Sequence, residues 1–191
     1  MAYRNIIFSF LFISISSWAQ VRYIDYPSPF HSKIGKSGMV VSQNQASSDI
    51  GVEILNMGGN AVDAAVAVGF SLAITLPRAG NIGGGGFMVM YDKETEKSYS
   101  IDYREKAPLL STKDMYLNQD GSFNDQMLST FGYLSIGVPG TVAGLWDVHK
   151  KFGSLPWSVL LEDAINLAEK GFEITPFLAD ILFKYNEKLS F

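Results

Sequence analysis

The chain has 191 residues, of which 47% are hydrophobic and 18% charged, and its formal net charge is −4. This composition predicts one folded domain rather than a disordered chain, and the acidic balance without a basic block argues against nucleic-acid binding. The absence of cysteine excludes disulfides and thiolate nucleophiles, and two separated histidines, His31 and His149, form no metal cluster, so we expect no bound metal.

The first nineteen residues have the pattern of a secretory signal peptide. Arg4 precedes an apolar run at residues 6–15, and small residues precede a predicted cleavage site near Ala19. The run is too short for a membrane anchor, which needs about 20 apolar residues. The pattern predicts a secreted or periplasmic protein, with an extended, proline-containing segment at residues 20–38 and one domain at residues 39–191.

The domain is predicted to open with a short strand and a helix. Residues 39–42 are apolar enough for the strand. Ser47, Ser48 and Asp49 are the candidate N-caps of the helix. Gly58 and the glycine after it tolerate a left-handed backbone and should stop this helix.

A second helix is predicted from Ala61 to about Thr75. Asn60 provides its N-cap, and Asp63 places a carboxylate at the third helical position, near the positive end of the helix dipole. The remaining residues are small and apolar, which predicts a buried central helix, and Pro77 ends it.

Four consecutive glycines, Gly83, Gly84, Gly85 and Gly86, follow in a loop at residues 80–86. Because ordering glycine has a large conformational-entropy cost, this loop must need a backbone without side chains. Two hypotheses explain the need: the loop lies against a ligand or catalytic centre, or it packs tightly between a helix and a strand. The spacing matches neither a dinucleotide-binding fingerprint nor a phosphate-binding loop, so nucleotide binding has no support.

A β-hairpin is predicted next. Residues 87–91 are continuously apolar and should form a strand buried on both faces, and residues 92–97 form a polar turn. The second strand alternates, with Tyr99, Ile101 and Tyr103 on one face and Ser100, Asp102 and Arg104 on the other. Arg104 therefore lies on the polar face, where it either pairs with Asp102 or Glu105 or clamps a ligand carboxylate.

Three further helices are predicted, at residues 141–152 and 156–170 and from 175 to the end of the chain. Gly153 and Gly171 end the first two. His149 is placed on the polar side of the first, where a catalytic role is not favoured. No stop signal precedes Phe191, so we expect the natural polypeptide to continue.

Four segments together resemble one known family. In chain order they are Gly58 to Val68 (GGNAVDAAVAV), Gly80 to Phe87 (GNIGGGGF), Ile101 to Pro108 (IDYREKAP) and Gly137 to Gly144 (GVPGTVAG). They are similar to the large-subunit half of the γ-glutamyltransferase (γ-glutamyltranspeptidase) family. The resemblance covers roughly residues 39–182.

The resemblance implies an α/β (α+β) fold that is part of the αββα sandwich of an N-terminal nucleophile hydrolase. It implies an inactive precursor that cleaves itself into a large and a small subunit. The threonine at the new N-terminus attacks glutathione or another γ-glutamyl donor, and the γ-glutamyl group passes to water or to an acceptor amino acid or peptide. No cofactor or metal is implied.

The resemblance also assigns roles to residues of this chain. Arg104 occupies the position of the arginine that holds the α-carboxylate of the γ-glutamyl group, with Asp102 and Glu105 as neighbours that orient it. The glycines at 83–86 are supporting residues. The nucleophile belongs to the small subunit, so we expect this chain alone to be inactive and to expose apolar surface. A non-catalytic binding fragment, or a related acylase or polyglutamate-cleaving enzyme, is the alternative.

Overall fold

The computed structural model describes residues 34–124 and 128–189. The predicted signal peptide and most of the extended segment at residues 20–38 lie outside these ranges. Residues 36–191 form one structural unit, and residues 1–35 are assigned to another, of which only Ile34 and Gly35 are described. Within the described ranges, no helix has both the length and the apolar character needed to cross a bilayer.

Helix α1 spans Gln45–Asn56 and starts before the predicted N-caps. The prediction that Ser47, Ser48 or Asp49 is the N-cap was wrong. Asn44 is the N-cap, and its side chain accepts a hydrogen bond of 3.2 Å from the backbone N–H of Ser47. The predicted strand at residues 39–42 was also wrong, since no strand in the described part of the chain pairs with it.

Helix α2 spans Ala61–Thr75 and confirms the prediction of a central buried helix. Asn60 and Asp63 form a complete capping box, in which each side chain accepts a hydrogen bond from the other residue's backbone N–H. α2 packs against α1 and contributes Val66, Ala67 and other apolar residues to the core. The core therefore forms around a helix whose start is fixed by local hydrogen bonds.

Strands β1, Phe87–Asp92, and β2, Lys97–Asp102, form the predicted antiparallel hairpin, with Phe87 opposite Asp102 and Asp92 opposite Lys97. Burial of β1 on both faces was wrong for the described residues. Met88 and Met90 pack on the core, whereas Phe87, Val89 and Tyr91 are 65%, 80% and 63% exposed. The helices of the described ranges cover only one face of the hairpin.

Three helices complete the described fold: α3, Thr141–Phe152; α4, Trp157–Lys170; and α5, Pro176–Leu189. A short 3₁₀ turn at Tyr133–Ser135 precedes them. α3 and α4 both pack against α2, and α3 also contacts β2. Gly153 and Gly171 follow α3 and α4 as predicted. The mixed helix and strand class is confirmed.

A buried carboxylate connects the start of α2 to the loop after α3. Asp63 is fully buried and accepts hydrogen bonds from the backbone N–H of Asn60 (2.9 Å), the backbone N–H of Ser154 (3.0 Å) and the Ser154 hydroxyl (2.5 Å). The side-chain NH2 group of Asn60 also donates a hydrogen bond of 2.6 Å to the carbonyl oxygen of Phe152. These contacts hold together segments that lie about ninety residues apart.

His149 belongs to the same region. The sequence predicted that it lies on the polar side of its helix, and this prediction was wrong. Its side chain is only 12% exposed, and its Nε2 donates to the carbonyl oxygen of Leu155 at 2.8 Å. The ring packs beside Trp146 and Trp157. These contacts support a structural role for the ring, and its buried Nδ1 makes no hydrogen bond to the described residues.

Candidate functional site

Three of the four motifs converge on the segment that follows β2. Tyr103 exchanges backbone hydrogen bonds with Gly86, at 3.0 and 3.4 Å, and so extends the hairpin by one pair. Lys106 exchanges backbone hydrogen bonds with Val138, at 3.2 and 2.8 Å. Arg104 lies between these two paired positions, so its backbone is fixed on both sides.

The side chain of Arg104 is exposed, and no ion pair to it is present among residues 34–124 and 128–189. The hypothesis of a surface pair with Asp102 or Glu105 is therefore not supported. Asp102 instead accepts a hydrogen bond of 3.0 Å from the backbone N–H of Arg104. This contact restrains the arginine backbone and leaves the guanidinium donors available to a ligand.

Arg104 lines a groove of about 740 Å³. Gly83 and Gly84 form part of its wall, and Lys106 adds a second cation. The carboxylate of Glu105 also lines the groove, together with Ser111 and other polar residues. Because two cations outweigh one carboxylate, the lining keeps a net positive charge that suits a small ligand with a carboxylate.

A second cavity, of about 880 Å³, lies along α1, α2 and residues 37–41. It is the larger of the two, yet its lining contains no charged side chain. The lining is largely apolar and includes Val52, Leu55 and Leu72. Because a cationic donor binds a carboxylate more strongly than a neutral one does, the groove beside Arg104 is the better candidate for an anionic ligand.

Different glycines of the loop support different hypotheses, tight packing for some and a position beside a ligand for another. A Cβ atom on Gly85 would lie 2.5 Å from the carbonyl oxygen of Tyr103, and one on Gly86 would lie 2.8 Å from the Tyr103 ring. Tight packing therefore explains these two glycines. A Cβ on Gly83 would meet only Asn81, at an ordinary 3.6 Å, so packing does not explain Gly83, which lines the groove.

Two glycines that the sequence did not single out lie on the other side of Tyr103. A Cβ on Gly140 would overlap the Tyr103 carbonyl oxygen, and one on Gly144 would overlap the Tyr103 side chain. Burial raises the pKa of the Tyr103 phenol, which therefore stays neutral at physiological pH. Tyr103 thus acts through packing, and only the structure shows that these two glycines contact it.

The described ranges contain no group of three or more histidine or carboxylate side chains that could hold a metal ion. The chemistry of the site rests on the guanidinium of Arg104, the amine of Lys106 and the surrounding hydroxyl groups. These groups can bind and orient an anionic ligand.

Residues 47–190 match the sequence model of the family described as Gamma-glutamyltranspeptidase. The chain is 50% identical over 150 residues to the glutathione hydrolase proenzyme of Pseudomonas aeruginosa. The aligned region covers 78% of this chain and 26% of the relative. The chain thus spans about a quarter of the length of that relative.

Solved structures show the same likeness. The crystal structure of Helicobacter pylori gamma-glutamyltranspeptidase superposes with a TM-score of 0.78 at 46% sequence identity, covering 82% of this chain and 44% of that one. A cephalosporin acylase from Bacillus halodurans superposes with a TM-score of 0.68 at 25% identity, covering 90% of this chain and 32% of that one. The resemblance seen in the four motifs is therefore confirmed in sequence and in fold.

Proposed function

Because the chain belongs to the γ-glutamyltranspeptidase family, we propose that it forms part of the large subunit of an enzyme that cleaves and transfers γ-glutamyl groups. The name of the Pseudomonas aeruginosa relative, a glutathione hydrolase proenzyme, supports glutathione as a donor. Other γ-glutamyl compounds would present the same end group. Water, an amino acid or a peptide would accept the γ-glutamyl group.

The observation that carries this proposal is the free guanidinium of Arg104 on a fixed backbone. A guanidinium offers two parallel N–H donors that match both oxygens of a carboxylate. We assign Arg104 to the α-carboxylate of the γ-glutamyl group. Asp102 supports this role because its carboxylate restrains the Arg104 backbone, whereas Glu105 makes no hydrogen bond to Arg104 among the contacts of the described residues.

The chemistry would proceed in two steps once the donor is held. A threonine hydroxyl at the N-terminus of the small subunit attacks the γ-carbonyl carbon, its proton passes to the leaving amine, and the amide C–N bond breaks. Water or an acceptor amine then attacks the carbonyl carbon of the resulting ester. The ester C–O bond breaks, and a proton from the attacking group passes to the threonine oxygen, which restores the hydroxyl. In this scheme Arg104 binds and orients the donor, and the bond-making groups come from outside the described chain.

The small subunit would come from the same precursor, as the word proenzyme in the name of the relative suggests. The exposed outer face of β1, with Phe87, Val89 and Tyr91, supports a packing partner of this kind. An apolar sheet face gains stability when a second layer covers it. The signal-like pattern at residues 1–19 supports secretion to the periplasm or beyond.

The proposal is tested with the full-length precursor and a chromogenic γ-glutamyl anilide. We expect two chains on a denaturing gel and release of the aniline, with no comparable release from the α-linked glutamyl anilide. A 4-aminobutanoyl anilide, which lacks the α-carboxylate, should also be a poor substrate. Equal turnover of a glutaryl anilide, which keeps this carboxylate but lacks the α-amino group, would favour the acylase alternative. Glutathione binding by a single uncleaved chain without turnover would favour a binding protein.

A further inference from the structure

We propose that Gly140 and Gly85 are positioning residues that set the location of Arg104 by clamping the peptide that carries it. The inference rests on the proposed function, because it takes Arg104 as the residue that binds the donor carboxylate. The two glycines come from different motifs and approach the same peptide group. Neither touches the proposed donor itself.

The clamp acts directly on the backbone. On one side, a Cβ on Gly85 would lie 2.5 Å from the Tyr103 carbonyl oxygen, 2.8 Å from the Arg104 Cα and 2.8 Å from the Glu105 nitrogen. On the other, a Cβ on Gly140 would overlap the same Tyr103 oxygen and lie 3.2 Å from the Arg104 carbonyl oxygen. No flexible side chain end can move aside, so an added methyl group must displace the peptide.

Hydrogen bonds tie the two sides of the clamp together. The carbonyl oxygen of Gly84 accepts from the backbone N–H groups of Gly140 (2.8 Å) and Thr141 (3.0 Å). These donors lie at the start of α3, whose N-terminus has no side-chain cap. The glycine loop thus satisfies N–H groups that a helix leaves unpaired, and it fixes α3 relative to the Arg104 peptide.

The position of Arg104 is sensitive to such a displacement. A bidentate guanidinium–carboxylate pair depends on the direction of both N–H groups, and functional geometry tolerates errors of only about 0.5 Å. A misplacement of about 1 Å can cost roughly 100-fold in rate. Since a long side chain amplifies a tilt of its backbone, Gly140→Ala should weaken donor binding although the guanidinium remains.

The test measures Gly140→Ala in the full-length enzyme with two donors, the γ-glutamyl anilide and its α-carboxyl methyl ester. We expect the KM for the free acid to rise by about 10-fold or more while the KM for the ester changes less than about 2-fold. A purely structural defect would change both donors alike. Equal changes in the two KM values, or none, would overturn the inference.

Gly59→Ala provides the matched control. A Cβ on Gly59 would lie 2.8 Å from the carbonyl oxygen of Ile54 and 2.9 Å from Leu155, so this glycine is also crowded by backbone, but away from Arg104. We expect Gly59→Ala to lower the melting temperature and to leave both KM values unchanged. If Gly140→Ala is recovered unfolded, Gly85→Ala applies the same test from the opposite side of the peptide.

Arg104→Ala, measured in parallel, distinguishes a failure of the positioning inference from a failure of the proposed carboxylate site. If Arg104→Ala raises the KM for the free acid and both glycine variants fold without doing so, the positioning inference fails alone. If Arg104→Ala itself leaves the KM unchanged, the proposed carboxylate site fails.

Discussion

Arg104→Lys in the full-length enzyme should raise the KM for a γ-glutamyl anilide by about 10- to 100-fold. Lysine keeps the charge but replaces the two-pronged guanidinium with a single ammonium group. The loss of one charge-assisted hydrogen bond costs about 1.5–3 kcal/mol, and each 1.4 kcal/mol corresponds to tenfold in affinity. Initial rates over a range of donor concentrations give KM and kcat separately, and kcat/KM should fall at least as far as KM rises.

Arg78→Lys is the control for this substitution. Arg78 is also exposed, and its guanidinium lies over the ring of Phe177 at 5.3 Å, outside the groove beside Arg104. The same chemical change there should leave KM within experimental error. An unchanged KM in Arg104→Lys, or an equal rise in both variants, would contradict the assignment of Arg104 to the donor carboxylate.

Asp63→Ala should lower the free energy of unfolding by roughly 3–5 kcal/mol, the largest stability effect that we expect from a single polar side chain here. The substitution leaves the backbone N–H groups of Asn60 and Ser154 and the Ser154 hydroxyl without their acceptor. These hydrogen bonds are partly buried, and a donor left without a partner costs about 1–3 kcal/mol where water cannot replace the lost acceptor. Urea unfolding of the full-length protein, followed by circular dichroism, measures the loss.

Asp147→Ala is the matched control on helix α3. Its carboxylate pairs with Lys150 at 3.1 Å, but its side chain is 58% exposed. Exposed pairs of this kind contribute about 0–1 kcal/mol. If Asp63→Ala cost no more than Asp147→Ala, the buried carboxylate would not hold α2 to the loop after α3.

The start of α2 and the ends of α3 and α4 were predictable from local hydrogen bonds and backbone chemistry. The start of α1 was not, because several neighbouring residues could cap it and Asn44 does so. Asn60 and Asp63 satisfy the first N–H groups of α2 within four residues of sequence, and Gly153 and Gly171 end α3 and α4. The direction of Arg104 also followed from local geometry, because neighbouring side chains of a strand point to opposite faces.

Two of the errors arose where a partner distant in sequence decides the outcome. The apolar run in β1 indicated burial on both faces, yet the described helices cover only the face with Met88 and Met90. The strand at residues 39–42 depended on a neighbour that the described ranges do not contain. Burial and strand pairing are properties of the assembled layers, so composition alone could not decide them.

The sequence indicated the central residue of the proposed site but not the residues that support it. Arg104 was identified by its place in a motif, whereas the contact of Gly140 with Tyr103 joins positions 37 residues apart in sequence. No periodic pattern encodes such a contact. The glycines at 85 and 86 were recognised as requiring bare backbone, but the structure was needed to identify the Tyr103–Arg104 segment as what they pack against.

The most direct test of the carboxylate site compares the γ-glutamyl anilide with its α-carboxyl methyl ester in the wild-type enzyme and in Arg104→Ala. We expect the wild type to prefer the free acid by about 100-fold in kcat/KM, since the ester removes the charge that the guanidinium binds. Arg104→Ala should lose nearly all of that preference. If Arg104→Ala discriminated between the two donors as strongly as the wild type, another residue would bind the carboxylate, and Arg104 would not be the donor site.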